Sequence, residues 1–137
     1  MLALLASVLL SFSLLAANDS TGHCNLEAAN FKSQAEVNDF LSKVQIQAKK
    51  RDPKSFGDLI VFPVRVVHKG SLKKIQTLSE FNQLASEVIT ANVMDVILNQ
   101  KIDEIFCNYQ GVMLGDGEVW FAKVKGKTGI ITINNMK

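Results

Sequence analysis

The chain has 137 residues, 47% of them hydrophobic, with 15 basic against 13 acidic side chains and a formal net charge of +2. That length fits one domain with a core of its own, and so mild a balance leaves no electrostatic footprint for nucleic acid. No internal repeat or low-complexity tract is present.

Met1 to Ala17 is apolar and carries no charged side chain. Its length, its place after Met1 and its end in Leu15-Ala16-Ala17 predict a secretory signal peptide. An uncleaved anchor is the competing reading, because roughly 17 to 25 apolar residues can span a bilayer. Residues 18–32 are polar and rich in small side chains and are expected to form an arm, and residues 33–137 a single α+β domain. Export makes one disulfide the simplest state for the pair Cys24 and Cys107. Closing so long a loop contributes roughly 4 kcal/mol in the chain-entropy model. Two Cys and two His (His23 and His68) lack zinc-site spacing and there is no C-x-x-C motif, so no metal and no other cofactor is expected.

Ser33 with Glu36 is a capping box, and Val37, Phe40, Leu41, Val44 and Ala48 follow at helical spacing. Lys49, Lys50 and Arg51 suit the negative end of that helix, and Asp52-Pro53 stops it and starts a short turn. Leu59 to His68 reads as the first strand, with Phe62, Val64 and Val66 on one face and Pro63, Arg65 and Val67 on the other. Pro63 donates nothing to a ladder, so this strand is expected at an edge or to begin there. Lys69-Gly70 ends it. Thr77 with Glu80 opens a second helix with Phe81, Leu84, Ala85 and Val88 on its stripe. Thr90 and Asn92 predict a break, after which Val93, Val96 and Ile97 carry the helix on to about Gln100.

The remainder reads as β. Ile105 to Tyr109 and Val119 to Val124 are rich in aromatic and β-branched residues, with a glycine-punctuated turn centred on Asp116-Gly117 between them. Gly126 is a second turn before Gly129 to Ile133. The chain's single Tyr and single Trp lie here, so this hairpin is expected to supply much of the core. Helices segregated from a three-strand meander give α+β with an antiparallel sheet.

The order of elements resembles the cystatin-like architecture of nuclear-transport-factor-2-like domains, in which a curved sheet wraps the first helix as a cone. Phe62-Pro63-Val64-Arg65-Val66, Glu80-Phe81, the stretch from Asn108 to Phe121 and Ile131-Thr132-Ile133-Asn134 also resemble a group of small exported bacterial proteins. The resemblance covers roughly residues 35 to 134. It implies architecture and export and transfers no catalytic residue.

Within that resemblance an acid or base in the cone facing Tyr109 would mark an enzyme, and His68, Asp39, Asp116 and Glu118 are the candidates. Three of them have a structural explanation: His68 ends a strand, Asp116 sits in a turn, and Asp39 lies near the rim of its helix stripe. No nucleophile elbow, phosphate loop or dinucleotide spacing is present. The expected function is therefore non-catalytic binding of a protein partner in the periplasm or outside the cell, in an inhibitor or immunity-type role. Tyr109, Trp120, His68 and Arg65 are the candidate contacts. The alternative is a small-ligand or enzymatic domain using the cone pocket. Neither nucleic acid nor, after processing, stable membrane insertion is expected.

Overall fold

The computed structural model describes residues 24–135. The signal-peptide reading of Met1 to Ala17 and the first part of the arm lie outside them. Helix α1 spans Gln34–Lys50, and the Ser33 hydroxyl accepts from the Glu36 N–H at 3.3 Å. Its buried residues are the five of the expected stripe, and it ends at Arg51 in the left-handed region. Asp52 then caps a 3-10 segment, Pro53–Leu59, with Pro53 in its first turn.

Strand β1 (Ile60–His68) turns through Lys69 and Gly70, both at positive φ, into β2 (Ser71–Ile75). Helices α2 (Leu78–Val88) and α3 (Ala91–Asn99) follow, capped by Thr77 and Thr90. After a short 3-10 turn, Ile102–Glu104, come β3 (Phe106–Asn108), β4 (Gly111–Leu114), β5 (Val119–Val124) and β6 (Lys127–Asn135).

The six strands form one open sheet in the order β2-β1-β6-β5-β4-β3. Neighbours are antiparallel except β1 and β6, which run parallel. The sheet is therefore mixed, not purely antiparallel. Three expectations change. β1 is flanked on both sides, because Pro63 lies just before the β2 ladder begins at Val64 and within the register shift against β6. A Pro there removes no ladder bond. β2 is an additional strand, and the glycine-rich stretch before Val119 holds β4 as well as a turn. The closing meander thus has four strands.

Helices α1 and α2 cover the same face. The Phe40 ring of α1 lies 4.7 Å from that of Phe121, and Phe81 of α2 lies 6.4 Å from Phe62 of β1. Val64, Val66, Val112, Leu114, Val119, Ile130 and Ile133 complete this core from the sheet side. The segment from Cys24 to Lys32 belongs to it too: Ala29 and Phe31 are buried, and Phe31 meets Phe121 edge-on at 6.2 Å. Cys24 is disulfide-bonded to Cys107, and the Asn25 N–H donates to the Cys107 carbonyl at 3.1 Å. These contacts hold the segment against edge strand β3. The stretch around the single Trp does supply core, through Val112, Leu114, Val119 and Phe121. Tyr109 contributes none of it, being 81% exposed.

Candidate functional site

The opposite face of the sheet carries no helix from α1 or α2, and its strand registers align one residue from each strand into a transverse row. Lys74 faces Arg65, Arg65 faces Thr132, Thr132 faces Trp120, Trp120 faces Met113, and Met113 faces Phe106. Alternation along each strand sets this face: Val64, Val66 and Ile75 are buried while Arg65 and Lys74 are exposed. The row is cationic at the β2–β1 end and apolar at the β5–β3 end.

Around the middle of the row the face is concave. An open depression of about 490 Å³ is lined by Pro63, Arg65, Lys74, Trp120, Thr132 and Asn134, with Gln110 and Ile131 at its sides. Its shape follows from two irregularities, the register shifts in β1 between Ile60 and Arg65 and across Trp120 and Phe121 against β6. Such shifts bend a strand and re-aim its side chains. Asn134 is fixed by its amide, which donates to the Gly117 carbonyl at 2.6 Å, and by its backbone N–H, which donates to the Glu118 carbonyl at 2.7 Å. Those bonds tie β6 to the β4–β5 turn.

Of the four candidate contacts, two meet. Arg65 and Trp120 line the same depression, two strands apart. Tyr109 stands one residue from Gln110 in the β3–β4 turn, where the Asn108 carboxamide oxygen accepts the Gln110 N–H at 2.8 Å. Gly111 makes the same turn possible. It has φ +125, and a Cβ there would lie 2.5 Å from the Phe121 carbonyl oxygen. His68 faces the other way, half-buried, its Nδ1 3.4 Å from the Asn135 amide nitrogen, which donates to the Glu87 carbonyl at 3.1 Å. Lys74 was not among the candidates. Its sequence signal is slight, because the register opposing it to Arg65 depends on a hairpin that Lys69-Gly70 marks only as a stop.

The depression can hold an anion and an apolar group side by side. Arg65 brings five N–H donors in a planar fork, Lys74 a point charge, and Trp120 a broad apolar face with one N–H. None of its lining residues is a carboxylate, histidine or cysteine, so no group there is suited to proton transfer near neutral pH. On the helix-covered face, Phe40, Val44 and Phe121 are buried, with the Phe40 and Phe121 rings 4.7 Å apart. Asp39 is exposed and paired with Lys43 at 3.2 Å, and the Glu118 carboxylate accepts the Asp116 N–H at 2.6 Å within the turn. Among the described residues no cluster of three or more His, Cys, Asp or Glu could hold a metal. No helix among them is long and apolar enough to cross a membrane.

Comparison with known proteins found no matching family model, no matching curated protein and no matching solved structure.

Proposed function

We propose that this protein is an exported, non-catalytic binding domain that recognises a protein partner on the open face of its sheet. The observation that carries the reading is the depression in which Arg65, Lys74 and Trp120 meet with no acid–base group beside them. Arg and Trp are among the side chains over-represented where proteins bind each other, and Lys74 adds positive charge beside them. Export is supported by the Cys24–Cys107 disulfide, a bond that persists in oxidising compartments, and by the uncharged apolar run before it. The architecture we assign is the nuclear-transport-factor-2-like cone, supported by a first helix seated on the face of an open sheet whose strands are bent at two register shifts. The enzymatic alternative is disfavoured by the aromatic contact that occupies the inner face.

The test is affinity capture from periplasmic extract using the exported protein and its Trp120→Ala and Arg65→Glu variants. A partner retained by the parent and lost from both folded variants is the expected result. A partner retained equally by all three would refute the assignment of this face.

A further inference from the structure

We infer that the open face takes an acidic, extended segment of the partner polypeptide, laid across the strands with its carboxylates on Arg65 and Lys74 and an apolar side chain on Trp120. This rests on the binding reading above and names the chemistry of the segment.

The argument begins with a conflict. Arg65 and Lys74 stand directly opposite each other in the β1–β2 ladder, an arrangement that like charges disfavour. Neither has an ion-pair partner among the described residues, a state they share with Lys32, Lys49, Lys50, Lys54, Lys69, Lys125 and Lys127, but of these only Arg65 and Lys74 face each other across a ladder. The contrast with Lys73 is local: one residue along β2, it pairs with Glu80 at 3.6 Å. Two opposed cations without a carboxylate are what an incoming carboxylate would relieve, and a bidentate guanidinium gives that contact direction as well as charge.

The surroundings set the rest of the segment. Trp120 lies two strands from Arg65 along the row, about 10 Å at the usual strand spacing. On the other side, Leu72 shares the face of Lys74 two residues away in β2 and is 58% exposed. From β2 to β5 is three strand spacings, about 14 Å, the length of roughly four extended residues. An open floor of that length suits a chain crossing it better than a compact molecule enclosed by it. Two cations on a chain of formal charge +2 match a short acidic motif and fall well short of the basic stripe that a phosphate backbone needs.

The chain's single Trp makes the site its own reporter. Random dodecapeptides lacking Trp are selected by display on the exported protein, and the winners are titrated while Trp120 emission is followed. The expected result is a motif combining acidic with aromatic or aliphatic residues that perturbs Trp120. Its affinity should fall about tenfold or more on the Arg65→Glu/Lys74→Glu variant and weaken as salt is raised. Both positions are exposed, and matching thermal unfolding of parent and variant confirms that the fold is intact. Selected peptides without acidic residues that are lost on Trp120→Ala would overturn the acidic motif and leave the binding face standing. Peptides indifferent to every variant would overturn both. Decanoate is titrated in parallel, and a Trp120 response to it with no selected peptide would overturn the polypeptide partner in favour of a small anionic amphiphile.

Discussion

Arg65 and Lys74 meet across an antiparallel pair with no carboxylate between them, so their cost to folding can be measured separately from their use. Lys74→Glu turns the opposed pair into an attractive one and should raise stability by about 0.5 kcal/mol, read from urea midpoints. An unchanged or lower midpoint would show that the two side chains splay apart in the free protein. Trp120 and Phe121 make a second contrast between neighbours. Phe121 is fully buried against Phe31 and Phe40, so Phe121→Ala should cost about 3 to 5 kcal/mol. Trp120 is half-buried on the other face, and Trp120→Ala should cost about 1 to 2 kcal/mol. Equal losses would contradict the two-faced reading of β5. Glu36 links the N-terminal cap to the sheet. A hydrogen bond from Lys123, 2.9 Å away, and then one from the Lys32 backbone N–H hold its carboxyl below the usual carboxylate range. A carboxyl depressed in this way adds stability above its ordinary pKa and loses it as pH falls through the folded value. Glu36→Gln should therefore destabilise at neutral pH, with the gap to the parent closing in acid. A gap that does not change with pH would place the whole effect in the lost cap geometry.

Among the elements, the segment from Cys24 to Lys32 depends most on one covalent bond. The disulfide spans 83 residues of chain, and the chain-entropy model gives such a loop about 4 to 5 kcal/mol. Reduction, or Cys24→Ala with Cys107→Ala, should lower the unfolding midpoint accordingly and expose Phe31 and Ala29 to solvent, seen as faster amide exchange in that segment. Full stability after reduction would mean that the hydrogen bond to Cys107 and the apolar contacts suffice. The disulfide pairing was readable from composition and the expected compartment alone, and the three helices from Ser33, Thr77 and Thr90, because caps and stripes are local. β2 was not, since Leu72-Lys73-Lys74 shows no apolar alternation and its exposed edge residues carry charge for solubility. β4 was hidden among the glycines at 111, 115 and 117, which look like loop until the Gly111 backbone is seen pressed against Phe121. Arg65 and Trp120 were named from residue type, but the row joining them needed the parallel β1–β6 register, a pairing that nothing local specifies. Tyr109 looked like core by composition, whereas an Asx turn at Asn108 places it outside.

At the scale of the molecule, β6 comes last in the chain among the described strands and third in the sheet, between β1 and β5. It is the seam between two ribbons. Without it, the β2–β1 hairpin stands apart from the β5–β4–β3 meander, and a lone hairpin is marginal in water. Each ribbon would also present an unpaired edge, the template on which chains aggregate. A chain that emerges from its N-terminus, from a ribosome or through a membrane pore, therefore has no complete sheet to close until residues near Asn135 are free. The middle and last thirds of the sequence wait for each other, and late closure of this kind is slow because the loop must be gathered before its contacts form. The transverse row inherits that timing. Thr132 is the link between Arg65 and Trp120, so the cationic and aromatic halves of the proposed recognition face do not exist as one surface on any fragment that ends before β6, and the binding proposed for it would have to wait until the chain has left its transit.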